Sequence, residues 1–271
     1  MKSKYNMSNH RFKLIFFSFL MMIILWSGCK TNDPVVVYLI GDSTMADYSN
    51  NYDEGKDYFK TRYPVTGWGQ VFQELFTGAD LSKFRKLFKA DSVIVDDRAR
   101  GGRSTRTFFQ EGRWRLVYEN LKKGDLVIMQ FGHNDGAESK PERYVDPEGY
   151  QEFLRLYINQ TREKEAIPIV LTPVCRNYPW INDHLENVHG EYPAAALVVA
   201  QELDARFIDL NQLSMDAFSQ KGQKYVSENY FMNLPAGVYE AYPDGRSDNT
   251  HFQPEGAKEV AKLVFEALKS L

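Results

Sequence analysis

Residues 35–47 read VVVYLIGDSTMAD, and the interpretation of the rest of the chain starts from this stretch. Val35–Ile40 is an unbroken apolar run rich in β-branched residues, which is typical of a strand buried on both faces of a parallel sheet. The run ends at Gly41, where a glycine permits a sharp turn at no steric cost. The sequence therefore predicts that Ser43 lies at the carboxyl edge of a parallel sheet, where open α/β folds bind ligands.

Ser43 is a candidate nucleophile because a hydroxyl at such an edge is exposed to a bound substrate. The tripeptide Gly41-Asp42-Ser43 is also compatible with an ordinary turn in which Asp42 or Ser43 caps a following helix. The polar residues that follow later strands distinguish between these two interpretations.

Further apolar runs alternate with amphipathic segments along the chain. The predicted strands after the first are Ser92–Val95, Asp125–Phe131, Pro168–Thr172 and Arg206–Leu210. Helical periodicity at 150–165 and 194–203 and a last helix starting at Pro254 complete the pattern, while 222–247 shows no period and is interpreted as a loop. This alternation predicts a three-layer α/β/α sandwich with a central five-stranded parallel sheet, of flavodoxin-like type with right-handed crossovers.

Polar residues follow the second and third predicted strands. Paired glycines, Gly101 and Gly102, allow a backbone N–H to approach a ligand closely. Asn134 follows the third strand, and a side-chain amide in that place can donate to a developing oxyanion. His133 suggests a metal ligand or a base, but no second His or Cys stands at ligand spacing, so a structural hydrogen bond is the favoured interpretation.

Four blocks of the sequence together resemble the SGNH (GDSL-type) hydrolase superfamily over nearly all of residues 35–271. They are GDST at 41–44, GGRS at 101–104, GHND at 132–135 and DNTH at 248–251. GWGQ at 67–70, EGRW at 111–114 and HGEYPAA at 189–195 further resemble the rhamnogalacturonan acetylesterase branch, whose members remove O-acetyl groups from pectin backbones. The pair Asp96-Asp97 departs from that branch, which usually has asparagine just before the Arg-Ala dipeptide.

The resemblance implies a role for each residue of the site. Ser43 would be the nucleophile, His251 its base and Asp248 the carboxylate that orients the imidazole. The backbone N–H groups of Ser43 and Gly102, with the amide of Asn134, would form the oxyanion hole. No metal and no organic cofactor is expected.

Arginine is concentrated around the glycine block. The members of this group are Arg98, Arg100, Arg103, Arg106 and Arg113. They could bind carboxylates of an acidic polymer, or they could form internal salt bridges and helix-end contacts. Arg103 and Arg106, with Trp180 and His189 from the aromatic stretch at 173–190, are the candidate substrate-binding residues, although a loop tryptophan is as often part of the loop core.

Residues 1–28 have the pattern of an export signal. Basic residues precede an apolar segment, Leu14–Trp26, that is shorter than the ~20 residues of a membrane-spanning helix. Small residues directly before Cys29 resemble a lipoprotein signal, so Cys29 would become the lipidated first residue, and plain secretion is the alternative. We expect residues 29–271 to form a single domain, exported and located at the cell envelope, in the periplasm or outside a bacterial cell.

The net charge of the chain limits the classes of partner that it can bind. The 271 residues include 33 Lys and Arg against 36 Asp and Glu, and removal of residues 1–28 would leave 29 basic side chains and a formal charge of −7. This balance argues against nucleic acid as a partner. We expect a monomer that contacts a membrane only through the lipid anchor, with Cys175 as a free thiol.

The sequence thus predicts an exported serine esterase that removes O-acetyl groups from a plant cell-wall polysaccharide, with acetylated rhamnogalacturonan as the favoured substrate. An acetylesterase acting on another glycan such as xylan, or a hydrolase of lipid or thioester substrates, is the alternative within the same class. A surface lipoprotein that binds glycans through a vestigial site is the alternative outside it.

Overall fold

The apolar run that opens the folded chain forms β1 (Val35–Gly41) in the computed structural model, which describes residues 33–50 and 52–271. Pro34–Leu271 form one compact unit. The expected signal at 1–28 and the lipidated Cys29 lie outside the described residues.

In the described residues the strands after β1 are β2 (Val93–Asp97), β3 (Leu126–Gln130), β4 (Ile167–Leu171), β5 (Trp180–Ile181), β6 (His184–Leu185) and β7 (Arg206–Ile208). The central sheet has five parallel strands in the order β2-β1-β3-β4-β7. A separate antiparallel pair, β5 and β6, forms a short hairpin between β4 and β7. The predicted five-stranded parallel sheet is therefore confirmed.

Helices of very different length connect the strands. In the described residues the α-helices are α1 (Tyr58–Thr61), α2 (Phe72–Phe76), α3 (Thr105–Gln110), α4 (Arg113–Asn120), α5 (Pro147–Glu163), α6 (Tyr192–Glu202), α7 (Leu210–Lys221), α8 (Gln223–Asn229) and α9 (Pro254–Leu268). Short 3₁₀ helices span Trp68–Val71 and Leu81–Phe84. Several start at sequence signals: Asp146 caps α5 by accepting from the Gly149 N–H, and proline opens both α5 and α9.

Alternate residues of each central strand enter two separate hydrophobic cores. In β3, Leu126 and Ile128 pack on one face of the sheet, whereas Val127 and Met129 pack on the other. The first core also contains apolar residues of α2, α7 and α9, and the second contains those of α3, α4, α5 and α6. Because a strand alternates its side chains between faces, this division is the three-layer α/β/α sandwich that the sequence predicts.

Two features differ from the sequence prediction. The second strand, expected from its apolar run to be buried like the first, is not buried on both faces: β2 is an edge strand, and Ile94 is 48% exposed. The stretch at 222–247 is not wholly a loop, because it contains α8. The segment at 105–120, for which the sequence pattern indicates no element, forms α3 and α4, whose few turns are too short for a clear period and are anchored by buried Phe108 and Trp114.

Two further properties concern the described part of the chain. None of its helices is both long and apolar enough to cross a bilayer. Cys175 is unpaired and buried, and burial raises the pKa of its thiol to about 12, so the thiol stays protonated and unreactive at neutral pH.

Candidate active site

The turn after β1 is organised by the side chain of Asp42. Its Oδ1 accepts hydrogen bonds from the backbone N–H of Thr44 at 2.9 Å and from the Thr44 hydroxyl at 2.8 Å. The Asp42 carbonyl accepts from the N–H groups of Met45 and Ala46. The turn does not continue into an α-helix, so Asp42 and Ser43 cap no helix here. Ser43 is instead held in a single tight turn at the carboxyl edge of the sheet.

Gly41 is required for a reason other than the predicted one. It lies in the extended backbone of β1, and a Cβ placed on it would lie 2.6 Å from the carbonyl oxygen of Gln130 in β3. The missing side chain therefore permits the close approach of two strands, and the turn itself begins one residue later.

Ser43, His251 and Asp248 form a hydrogen-bonded chain. The Ser43 Oγ lies 2.9 Å from Nε2 of His251, and Nδ1 of His251 lies 2.8 Å from Oδ2 of Asp248. The other carboxylate oxygen of Asp248 accepts from the backbone N–H groups of Thr250 and His251 at 2.9 and 3.0 Å. This is the arrangement in which an imidazole accepts the proton of an attacking hydroxyl while a carboxylate fixes its orientation.

The Asp248 carboxylate is held in its ionised form. Burial opposes ionisation, but hydrogen bonds from the His251 side chain and from the backbone of His251 and Thr250 outweigh it, so the pKa of Asp248 lies well below its ordinary value. Arg246 adds a third contact, since its Nη2 lies 2.5 Å from the oxygen that His251 also contacts. Asp248 is therefore available as a negative partner for a protonated imidazole throughout the neutral range.

Three hydrogen-bond donors belong to residues that line the same cleft, namely Ser43, Gly102 and Asn134. Within the described residues, the N–H groups of Ser43 and Gly102 donate no hydrogen bond. Gly102 has φ of +81°, a left-handed conformation that favours glycine. The Asn134 amide donates one hydrogen bond to the carbonyl of Arg103 at 3.0 Å, which leaves its second N–H free. These donors are of the kind that stabilises the oxyanion of a tetrahedral intermediate.

His133 lies behind the nucleophile turn. Its Nδ1 is 3.2 Å from Oδ2 of Asp42, and both side chains are almost fully buried. Burial lowers the pKa of His133, whereas the His133 contact and the Thr44 hydrogen bonds outweigh burial and lower the pKa of Asp42. A neutral imidazole beside an ionised carboxylate fits the structural interpretation of His133. The described residues contain no cluster of three or more His, Cys, Asp or Glu side chains suited to a metal ion.

Ser43 and His251 line a cleft of about 470 Å³. The basic residues of its lining are Arg62, Lys140, Arg143, Arg176 and Arg246, and its aromatic residues besides histidine are Tyr48, Tyr52 and Tyr242. No aspartate or glutamate among the described residues lines this cleft. The cleft therefore combines flat ring surfaces with an excess of positive charge.

Arg103 and Arg106, predicted to bind substrate, do not line the cleft. The Arg103 guanidinium contacts Glu111 at 2.9 Å and the Gly101 carbonyl at 2.7 Å. Arg106 donates to the carbonyl of Pro141 at 2.8 Å. The alternative of internal contacts holds for both, because each guanidinium finds an acceptor within its own or the neighbouring loop.

Trp180 and His189 also lie away from the cleft lining. The Trp180 indole donates to the side chain of Asn177 at 3.1 Å. His189 is buried, its Nε2 lies 2.9 Å from the carbonyl of Val174, and burial lowers the pKa of its imidazole well below the ordinary value. These two side chains contact groups of the loop after β4, and neither belongs to the cleft lining in which a substrate-binding role would place it.

The basic residues that do line the cleft come from loops between the recognised blocks. Arg143 lies nine residues after Asn134, Arg176 five residues after the end of β4, and Arg246 two residues before Asp248. The sequence indicates these arginines only through their position, because each of them lies in a loop that starts or ends at the carboxyl edge of the sheet. That signal gives neither the direction of a side chain nor its partner.

The sequence of this chain is similar to that of a known family of hydrolases and to that of two relatives. A family model described as GDSL-like lipase/acylhydrolase matches residues 39–258. The rhamnogalacturonan acetylesterase RhgT of Bacillus subtilis (strain 168) is 37% identical over 238 residues, which cover 88% of this chain and 91% of the relative. A probable rhamnogalacturonan acetylesterase of the same organism, YesY, is 35% identical over 236 residues, covering 87% and 93% of the two chains.

Solved structures show the same fold. The YxiM protein of Bacillus subtilis superposes with a TM-score of 0.68 at 25% identity, over 88% of this chain and 56% of that chain. Axe2, an acetylxylan esterase from Geobacillus stearothermophilus, superposes with a TM-score of 0.58 at 16% identity, over 88% and 96% of the two chains. The YxiM chain is therefore nearly twice as long as the part of it that matches this protein.

Proposed function

This chain belongs to the GDSL-like lipase/acylhydrolase family, and from that premise we propose that it removes O-acetyl groups from an acetylated plant cell-wall polysaccharide, with acetylated rhamnogalacturonan as the substrate. Two relatives at 37% and 35% identity bear the name of rhamnogalacturonan acetylesterase, the second as a probable one. The sequence blocks that resemble this branch span the same region of the chain.

The observation that supports an esterase most directly is the chain of contacts from Ser43 through His251 to Asp248. A serine hydroxyl is a weak nucleophile at neutral pH and needs a base within hydrogen-bond reach. The 2.9 Å separation between Ser43 Oγ and His251 Nε2 meets that requirement. The free donors of Ser43, Gly102 and Asn134 belong to residues that line the same cleft, where such donors can stabilise charge that develops on a carbonyl oxygen.

The reaction follows from these positions. As Ser43 Oγ attacks the acetyl carbonyl, His251 takes its proton, and the carbonyl oxygen becomes an oxyanion held by the three donors. Collapse of this intermediate expels the sugar hydroxyl, which receives the proton from His251, and leaves an acetyl group on Ser43. Water then attacks the acetyl-enzyme with His251 again as base, and acetate leaves.

The lining of the cleft favours a carbohydrate over a lipid. Five basic side chains offer donors to hydroxyl and carboxylate oxygens. The rings of Tyr48, Tyr52 and Tyr242 lie against arginine guanidinium groups, so the aromatic part of the lining is covered by charged groups. Val65 and Ala137 are the aliphatic side chains in this lining. An acyl-chain site would instead need a continuous apolar wall.

The test is acetate release from acetylated rhamnogalacturonan, acetylated xylan and 4-nitrophenyl acetate. We expect turnover of the pectic polymer and of the small ester, and loss of both in Ser43→Ala by at least ~10³-fold. Ser92→Ala, at an exposed position before β2, is the matched control and should keep full activity. Turnover by Ser43→Ala, or turnover of the small ester without any turnover of the polysaccharides, would contradict the proposal.

We also propose that the chain is exported and anchored through Cys29, which supports the assignment because the polymer lies outside the cell. The support is the basic and apolar pattern of residues 1–28 with small residues before the cysteine. Cell fractionation of the full chain and its Cys29→Ser variant tests this. The wild-type protein is expected in the membrane fraction and the variant in the soluble exported fraction, whereas identical distributions would contradict anchoring through Cys29.

A further inference from the structure

The charge of the cleft is opposite to that of the chain. The full sequence has a formal charge of −3, yet the cleft lining contains five basic and no acidic side chains. Two of the five are neutralised nearby, since Arg62 contacts Asp53 and Arg246 contacts Asp248, each at 2.5 Å. In the described part of the chain, Lys140, Arg143 and Arg176 form no ion pair. The uncompensated positive charge is therefore concentrated on one group of residues.

Arg143 reaches the oxyanion side of the cleft. Its Nη1 lies 3.2 Å from the position that a Cβ on Gly102 would occupy. Its Nε is excluded from solvent and has no hydrogen-bond partner among the described residues. Arg106 supports the same loop by donating to the carbonyl of Pro141 at 2.8 Å. The loop is thus held in place by Arg106, while the guanidinium of Arg143 has no acceptor among the described residues.

Arg176 enters the cleft from the loop after β4. It donates to the Tyr178 hydroxyl at 2.8 Å and more weakly to the His133 carbonyl at 3.4 Å. Its Nε is also buried without a partner. Both contacts are to neutral oxygens, so the side chain is oriented but its charge is not balanced. A guanidinium whose charge is not balanced can form charge-assisted hydrogen bonds to a bound anion through its Nη groups.

We propose that Arg143 and Arg176 form a carboxylate-binding subsite that holds a uronate residue of the substrate beside the acetylated sugar. The guanidinium fork matches a carboxylate in a bidentate manner, which a neutral sugar hydroxyl cannot reproduce. The inference rests on the proposed acetylesterase activity and adds to it the residues that select an acidic polymer. Arg143 and Arg176 replace Arg103 and Arg106 in that role.

The test compares one polymer in two charge states. Acetate release is measured on acetylated rhamnogalacturonan before and after methyl esterification of its uronate carboxyls, with 4-nitrophenyl acetate as the small neutral ester. The wild-type enzyme should favour the free-carboxyl polymer, and this preference should fall as salt rises. Arg143→Gln and Arg176→Gln should raise KM for the free-carboxyl polymer roughly 10- to 100-fold, with little change for the esterified polymer.

Controls separate this inference from the function on which it rests. Circular dichroism and the melting temperature show that each variant is folded, and the ratio of kcat/KM values on the two polymers carries the comparison. Arg115→Gln, at an exposed arginine that contacts Glu119 on α4, should leave turnover of all three substrates unchanged. Equal turnover of the two polymers by the wild-type enzyme, or equal losses on both in the variants, would overturn the subsite while leaving the esterase intact. Failure to deacetylate either polymer would instead overturn the proposed function.

Discussion

The side-chain amide of Asn134 has one N–H with a partner and one without, and this decides what its removal should do. One N–H donates to the Arg103 carbonyl at 3.0 Å, and the other has no partner among the described residues. We expect Asn134→Ala to lower kcat for 4-nitrophenyl acetate by ~10²–10³-fold with little change in KM, because the lost contact matters mainly in the transition state. Steady-state kinetics measures this, and a loss confined to KM would show that Asn134 binds substrate without stabilising the oxyanion.

The buried carboxyl of Asp135 should make the free energy of unfolding depend on pH. Its fully buried carboxyl accepts from the Thr105 backbone and hydroxyl and from the Gly132 N–H. Burial outweighs these hydrogen bonds and raises its pKa from 3.8 to about 7. In the folded protein the group keeps its proton up to about pH 7, whereas the unfolded chain loses it near pH 4. The contribution of Asp135 to stability is therefore complete below pH 4 and is lost as pH rises toward 7.

Urea unfolding at several pH values tests this dependence against Asp135→Asn, which cannot titrate. The variant should be less stable at low pH. Its side-chain NH₂ group would face a backbone N–H from which the Asp135 carboxyl accepts a hydrogen bond, so that two donors would meet. The stability difference between the two proteins should shrink by up to about 4 kcal/mol between pH 4 and pH 7. Parallel stability curves for the two proteins would mean that Asp135 does not titrate in this range.

Single residues also show which parts of the candidate site can be predicted from the sequence. Ser43, Gly102, Asn134, Asp248 and His251 are predictable because each follows a strand or precedes a helix within a short block. The four candidate substrate-binding residues are not, because the direction of a long side chain depends on acceptors elsewhere. Arg103, for example, is turned away by Glu111, which lies eight residues further along the chain.

At the scale of elements, the turn between β2 and α3 positions an oxyanion donor through its backbone. Gly102 has φ of +81°, so alanine there should cost about 1–2 kcal/mol of stability, and its Cβ would press on the Arg143 guanidinium. We expect Gly102→Ala to lower both the melting temperature and kcat/KM. Gly112→Ala is the matched control, because Gly112 has φ of +71° and nothing within 4 Å of an added Cβ. It should lose stability alone, and equal activity in both variants would contradict the role of the Gly102 turn.

Elements differ in how clearly the sequence specifies them. The central strands are predictable because burial on both faces produces continuous apolar runs, as in β3. α5 and α9 are predictable from their apolar stripes and opening prolines. The short helices α3, α4 and α8 have only six to eight residues, so packing against the sheet rather than local periodicity determines them. The exposure of β2 depends on its place in the strand order, which its own residues do not reveal.

At the scale of the whole molecule, one feature of the topology brings the catalytic residues together. β1 lies inside the sheet between β2 and β3, and α9 packs in the core on one face of that sheet. This arrangement brings the turn after β1 to the residues just before α9, so that Ser43 meets His251 across 208 positions of the chain. Sequence blocks indicate that both residues matter, but only the fold shows that their side chains touch.

The most direct measurement is covalent labelling with diisopropyl fluorophosphate, followed by peptide mapping and assay of acetate release. We expect one diisopropylphosphoryl group on Ser43, complete loss of activity in step with labelling, and much slower labelling in His251→Ala because the base is gone. Labelling of another residue in step with the loss of activity, or equally fast labelling of Ser43 in His251→Ala, would contradict the claim that these two side chains form the catalytic pair.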